Sequence, residues 1–497
     1  MIELPTELAP LRPMLAAFSG KNRERFVVLA LGAIVAMGGR TVSRVLWAVS
    51  SLRSGHPCGY HRFFSVARWS LWTLARVLAA MVLELADPDK PVTLIVDDTV
   101  VGHRGKQVFG KGWHRDAVNS RPGHLHKKLG HKWVVMAVGL TLPRCNRPWA
   151  LPVLAALYLV PPKQPQTADG QVRRQAGRRN PTMRPKGLKD AGAQKQSRSK
   201  LPVLRKRNAE GKLEPRFKSP CLLARQMLAV MIHWFPGRKF ILLGDGGFAS
   251  HDLALFCHRH RRHVTLIARF CGDARLYARP DRLPKKRGRK RVKGLPLPAP
   301  QESVAAARRL RHATLPWYGR RVRDVRMLGG CGGWYRCRGS GRGAMVPVRW
   351  VYVQEMLHQN EAYLYSSDPT MADEAIATGF VGRWPIEVTF EEVRAHLGFH
   401  TPRQRCQQSV LRTGPCLLGL FSLVSLIYAK LAERRPVKLR ATCCYAKTEP
   451  TFADALAAVR RVVWEQIILP RTAGANVVAQ LSRPLKELLL DHLTAAA

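Results

Sequence analysis

Acidic residues are scarce in this sequence. Its 497 residues hold 33 Asp and Glu against 82 Lys and Arg, a formal net charge of +49. Self-repulsion on that scale works against a compact chain unless a polyanion offsets it, and nucleic acid is the commonest large polyanion. Long apolar runs are missing too. Phe26 to Met37 and Cys416 to Tyr428 are the strongest, and each falls short of the ~20 residues that a bilayer-crossing helix needs. Both are expected to be buried core helices, and no membrane partner is expected. The opening stretch MIELPTELAPLRP has acids and prolines and no apolar core, so no secretory signal is expected. Paired cysteine spacings are absent as well. The 11 cysteines are scattered with no C-x-x-C pair, which argues against a disulfide framework or a zinc site. The string Cys257, His258, His260, His263 has metal-ligating residue types without a recognised ligand spacing, and reads as the basic face of a helix. A reducing, cytoplasmic setting follows.

What is present is enough for a large core, with 46% hydrophobic residues and a length that suggests two or three structural units. Residues 1–88 read as helical, with apolar spacing over Arg23 to Met37, Thr41 to Ser50 and Tyr60 to Leu85. Gly38-Gly39 followed by TVSRVLWAV, with Arg40 and Arg44, fits a helix-turn-helix reader of DNA or a plain helical bundle, and the sequence leaves both open. PVTLIVDDT, GHKWVVMAVGLTLP and LPVLAALYLVPP are strand candidates. The stretch 161–220 is basic, polar and proline-dotted, an excursion expected to order on DNA if at all. An amphipathic helix in SPCLLARQMLAVMIHWF then leads to the strand KFILLGD, and HVTLIARF is the next strand. Residues 271–365 combine the basic run RPDRLPKKRGRKRVKG with short strands and glycine turns, and helices take over from Ala372. No internal repeat is visible.

Three acidic positions stand out by where they sit. Asp97 and Asp98 end one buried strand, Asp245 ends a second, and Glu387 opens a helix after Arg383-Trp384-Pro385. Carboxylates at strand ends and on a nearby helix can converge in space, and three in one pocket repel unless a divalent cation offsets them. Two Mg²⁺ ions ~3.5–4 Å apart are the known solution for in-line phosphoryl transfer. Mg²⁺ suits because it takes oxygen ligands and keeps waters for phosphates. The blander reading is that Asp245-Gly246-Gly247 is a turn and that Glu387 complements a helix dipole.

The segment FVGRWPIEVTFEEVR resembles the signature of bacterial insertion-sequence transposases of the DDE type, Y-(2)-R-(3)-E-(6)-K. The positions fall on Phe380, Arg383, Glu387 and Arg394 with the spacing intact. LIVDDTVV resembles the strand of the first aspartate and LLGDGGFAS that of the second, while GYHRFFSVARWS and GHKWVV are similar to further segments of the group. The resemblance implies an RNase H-like catalytic core with a β-rich insertion, and helical N-terminal and C-terminal regions. It implies catalytic, metal-binding roles for Asp97, Asp245 and Glu387. Asp98 is the alternative first acid, because D-x-T fits Asp97 and Thr99 while strand alternation lets only one neighbour face the pocket. Glu391, one turn along, is the alternative to Glu387. Arg383, Arg394 and Phe380 are implied DNA contacts, with arginine standing for the family's lysine and phenylalanine for its tyrosine.

The implied layout is a DNA-binding helical region at 1–88 and a core over 89–270, interrupted by 161–220. An insertion follows at 271–365, then the rest of the core at 366–430 and a helical tail at 431–497. Two Mg²⁺ ions are the expected cofactors, with Mn²⁺ able to substitute. Double-stranded DNA and a second copy of the chain in a paired-end homodimer are the expected partners, in a bacterial, nucleoid-associated setting. The basic runs at 161–220 and 280–293 would track phosphates.

Overall fold

Strand β1 (Val92–Gly102) carries Leu94, Ile95 and Val96 in succession, all fully buried. A continuous apolar run of this kind marks a strand covered on both faces. After the short β2 (Gly112–Arg115), the strands β3 (Lys127–Thr141) and β4 (Pro148–Tyr158) form an antiparallel pair, and β3 also runs antiparallel to β1. On its other side β1 pairs in parallel with β5 (Phe240–Gly244), which pairs in parallel with β6 (Val264–Arg269). The order β4-β3-β1-β5-β6, antiparallel on one side of β1 and parallel on the other, is the RNase H-like core expected from the sequence. Pro152, which cannot donate to a ladder, lies on β4 opposite Ala137, where the β3–β4 register shifts.

The computed structural model describes residues 2–116, 119–121, 123–161, 217–280, 291–317, 321–336, 343–357, 360–434, 436–440, 446–472 and 474–495. Met1–Tyr158 with Ser219–Ala497 form one compact unit, and Leu159–Lys218 form a second. Most of the basic runs at 161–220 and 280–293 lies outside the described residues.

The β-rich insertion consists of β7 (Leu276–Tyr277), β8 (Pro296–Leu297), β9 (Arg311–Pro316), β10 (Val322–Arg336), β11 (Ala344–Glu355) and β12 (Glu361–Ser366). It does not form a sheet of its own. β12 pairs antiparallel with β6 through Leu364–Arg269, Tyr365–Ala268 and Ser366–Ile267, so the described strands hydrogen-bond into one 12-stranded sheet. The apolar β6 would otherwise offer a bare edge to other chains.

Helices surround this sheet. The N-terminal set is α1 (Leu11–Met14), α2 (Lys21–Val35), α3 (Val42–Ala48), α4 (Cys58–Ser65) and α5 (Leu71–Glu84). Then come α6 (Pro220–Trp234), α7 (His251–Arg259) and α8 (Pro300–Ala306), followed by α9 (Asp373–Val381), α10 (Pro385–Leu397) and α11 (Gln407–Arg434). The C-terminal set is α12 (Phe452–Val463), α13 (Ala475–Gln480) and α14 (Arg483–Leu493). Thr41, Ser70, Ser219 and Ser250 cap α3, α5, α6 and α7 by accepting a main-chain N–H of the first turn. Gly32 lets α2 and α3 approach closely, since a Cβ there would lie 2.6 Å from the Val45 carbonyl oxygen.

The apolar run 416–428 is the buried heart of α11, where Ser422 Oγ donates to the Pro152 carbonyl at 2.7 Å. This is the one described helix long and apolar enough to cross a membrane, and 78% of its most apolar window is buried in the protein. Near its start Arg412 donates to the carbonyls of Phe63, Phe64, Ala67 and Trp69, which ties α11 to the α4–α5 connection.

Candidate active site

The parallel register of β1 and β5 ends with Val96 opposite Gly244, so the next residues, Asp97 and Asp245, come side by side just past the paired stretch. Asp245 follows the carboxyl end of β5, where open α/β sheets place their ligands. Asp97 and Asp98 instead lie in the middle of β1, which does not end at the acids as the sequence suggested but runs on to Gly102, held by its pairing with β3. Phe248 N–H donates to the Asp245 carbonyl at 2.8 Å and folds the following glycines into a tight turn.

Helix α10 supplies the third acid. Pro385 stands in its first turn, where a missing N–H costs nothing, and Gly398 ends it with a left-handed φ of 55°. Arg383, just before the helix, and Glu387, in its first turn, are four residues apart and face the same way. Arg383 Nη1 donates to Asp97 Oδ2 at 2.8 Å and Nη2 donates to Glu387 Oε1 at 2.8 Å. One guanidinium therefore joins the strand acid to the helix acid. Its Nε is buried with no hydrogen-bond partner among the described residues. The Phe380 ring lies 5.9 Å from the Arg383 guanidinium carbon.

The electrostatics follow from burial and from this bridge. The Asp97 side chain is only 16% exposed. Burial pushes its carboxyl up to about 7, against the pull of Arg383 and the Asp98 N–H, while Asp98 and Asp245 push it up further. Burial works against the charge of Arg383, but Asp97, Asp245 and Glu387 outweigh it and hold the guanidinium above its ordinary value.

The two neighbours on β1 part company. Asp98 forms a 2.8 Å ion pair with Lys132 of β3, opposite Val100, on the face away from Arg383. Its main-chain N–H donates to Asp97 Oδ1 at 2.8 Å. Thr99, on the Asp97 face, accepts a hydrogen bond from Arg394, which is also under the charges of Glu391 and Asp116. Arg394 thus anchors α10 to β1 from within, while Glu391 is exposed. Thr389 Oγ1 makes a second tie, donating to the Ala150 carbonyl of β4 at 2.8 Å. The bridging by Arg383 has a sequence signal in its spacing from Glu387, whereas nothing local marks Thr99 or Lys132 as partners.

Asp97, Asp245 and Glu387 would offer an all-oxygen donor set, the type that suits a hard divalent cation, and a buried carboxylate pushed to about 7 would gain from having one. As arranged, Arg383 takes up Asp97 and Glu387, and no three His, Cys, Asp or Glu side chains among the described residues stand together as a ligand group. The donors fit by chemical type, then, but as arranged Asp97 and Glu387 have Arg383 as their counter-ion and the three acids do not form a ligand group. The Cys257–His263 string forms no such group either. Cys257 is buried in the core, and burial pushes its thiol far up.

No curated protein is significantly similar in sequence to the chain. A cryo-EM structure of a piggyBac transposase synaptic complex with hairpin DNA is similar over 99% of this chain and 82% of that one. The identity is 10% and the TM-score 0.37, too loose a likeness to support any conclusion about function. The family described as DDE superfamily endonuclease matches residues 13–323, more than half of the chain and including Asp97 and Asp245, though not Glu387. On that match the chain belongs to the DDE superfamily endonucleases.

Proposed function

We propose that the chain is a DNA transposase: it cleaves double-stranded DNA at transposon ends to free 3′-hydroxyls and joins them to target DNA. One observation carries this reading. Arg383 draws Asp97 and Glu387 together beside Asp245, across a strand pair and a helix far apart in sequence. Asp97, Asp245 and Glu387 would hold two divalent cations, Mg²⁺ or Mn²⁺. Once bound, these would lower the pKa of an attacking hydroxyl and offset charge on the leaving oxygen.

Arg383 is placed to exchange a carboxylate for a DNA phosphate, since guanidinium suits both and its buried Nε lacks a hydrogen-bond partner among the described residues. Phe380 beside it offers a ring to a sugar or base. Arg394 holds β1 through Thr99, so a phosphate contact there would be shared with that anchor. In cleavage, a water oxygen bonds to phosphorus and the 3′-oxygen leaves with the bonding electrons and takes a proton. In joining, the freed 3′-hydroxyl gives up its proton and bonds to a target phosphorus, and the target strand's 3′-oxygen leaves with the bonding electrons and takes a proton. The enzyme would work as a homodimer across paired ends, in the nucleoid.

The test is a supercoiled plasmid carrying the terminal sequences that flank the gene, incubated with the full chain and Mg²⁺. Cleavage with 3′-hydroxyl ends, followed by joining to a second plasmid, is expected, and Glu387→Ala is expected to remove both. Wild-type cleavage by Glu387→Ala would show that the site is elsewhere. Cleavage without joining would make the chain a stand-alone nuclease, and DNA binding without cleavage a regulator.

A further inference from the structure

Arg40 is 4% exposed, and its donors go to main-chain oxygens from three segments. Nε donates to Ala33 O at 3.0 Å, Nη1 to Gly38 O and Nη2 to His396 O at 2.6 Å. Its own N–H donates to Thr401 Oγ1 at 2.7 Å, and that hydroxyl donates to Gly398 O at 2.6 Å. Ala33 is in the last turn of α2 and His396 in the last turn of α10. One cation therefore sits between two helix C-termini, where unpaired carbonyls and the negative ends of both dipoles point. Burial lowers the Arg40 pKa to about 10, which leaves it charged at neutral pH. The two turns also touch: a Cβ on Gly398 would lie 3.0 Å from Gly38 O and 2.9 Å from Thr401 Oγ1.

Helix α10 carries Glu387 at its other end. From Glu387 to His396 is roughly 13 Å of continuous helix at the standard rise. A rigid rod pinned at its C-terminal end presents its N-terminal end at a fixed depth and rotation. We propose that Arg40, with Thr401, is a positioning residue for this helix: it ties the turn after α2 to the end of α10 and so sets where Arg383 and Glu387 stand against Asp97. This rests on Glu387 being an acid of the cleavage site. Arg460 provides an internal contrast. It is 1% exposed and grips the same end of α2 through Ile34 O and Ala36 O, but its third carbonyl is that of Ala495, and none of these three hydrogen bonds goes to α10.

Arg40→Lys, Thr401→Val, Thr401→Ser, Arg460→Lys and Glu387→Gln would be compared on a duplex carrying the terminal sequences. Single-turnover cleavage with Mg²⁺, the Kd for that duplex, and amide hydrogen exchange over residues 393–401 are the three readouts. Arg40→Lys and Thr401→Val are expected to slow cleavage about tenfold or more, because small misplacements of reacting groups are costly. Duplex affinity should change less than about twofold, while exchange at 393–401 quickens. Thr401→Ser, which keeps the hydroxyl, should cleave like wild type, and Arg460→Lys should lower Tm without slowing cleavage by the folded protein. The inference is overturned if Arg40→Lys and Thr401→Val cleave at the wild-type rate, or if Arg460→Lys slows cleavage as much. Wild-type cleavage by Glu387→Gln would instead remove the reading of the site, and the exchange data would still report whether Arg40 and Thr401 hold α10.

Discussion

Arg383→Gln should make the DNA-free protein bind Mn²⁺ more tightly and, without metal, make it less stable. The guanidinium makes one 2.8 Å bond to Asp97 and one to Glu387. A hydrogen bond to a charged group is worth ~1.5–3 kcal/mol net, and a cation that takes these carboxylates must break at least one. Removing the guanidinium removes that cost, so affinity should rise roughly ten- to a hundredfold. Losing a neighbouring positive charge acts in the same direction.

The stability effect has the opposite sign. Truncating one partner of a buried pair costs about 3–5 kcal/mol. The Glu387 side chain is 35% exposed, so solvent screening brings the expected loss nearer to about 2 kcal/mol. Saturating Mn²⁺ should restore it, because a ligand held only by the native state stabilises that state. Isothermal titration with Mn²⁺ and urea melts with and without metal at neutral pH measure both quantities. Unchanged Mn²⁺ affinity in Arg383→Gln would refute the idea that Arg383 is the counter-ion of these acids. Cleavage should fall even as metal binding improves, since the phosphate contact goes with the side chain.

Asp98→Asn should keep cleavage within about threefold of wild type and cost at most ~1 kcal/mol, because its pair with Lys132 is partly solvated. Asp97→Asn should abolish cleavage, and the reverse pattern in the same assay would exchange the two residues' roles. The metal-free protein should lose stability as pH rises toward 8. Burial raises the Asp97 pKa from 3.8 to about 7, so its contribution is fully present below about pH 4 and is lost as pH rises through 7. Chemical melts across that window should show a decline that Asp97→Asn flattens. Thr99→Val should destabilise the fold by ~1 kcal/mol through loss of the Arg394 bond, and no change in urea melts would mean that Arg394 does not lean on β1.

Much of the core could be seen in the sequence because its cause is local. Leu94, Ile95 and Val96 read as a buried strand, although β1 runs on past the acids to Gly102 instead of ending there, while Leu242 and Leu243 lead to a strand that does end just before Asp245. The joining of the insertion to the core could not be seen, since Ser366 pairs with Ile267 across the whole insertion and no local pattern selects an edge partner. The choice between Asp97 and Asp98 was hidden for a related reason. Alternation says that the two point apart, and only the packing of α10 on one face and Lys132 on the other says which goes where.

The charge was the clearest signal and the most misleading in detail. Composition counts Arg40, Arg412 and Arg460 as three more positive charges for DNA, and Arg40 looks like part of a DNA-reading turn. All three are buried, at 4%, 8% and 1% exposure, and each donates to main-chain carbonyls. A chain with 33 acids for 82 bases has few carboxylates to place beside buried cations. Helix C-termini can meet the same need, because each presents several unpaired carbonyls at the negative end of a dipole. Burying a guanidinium there satisfies its donors and the helix end at once, and fixes the spacing between the elements whose ends it shares. Scarcity of acid thus bears on architecture as well as on DNA affinity: in Arg40 it leaves an arginine, rather than an ion pair, to join the N-terminal helices to the helix that carries Glu387.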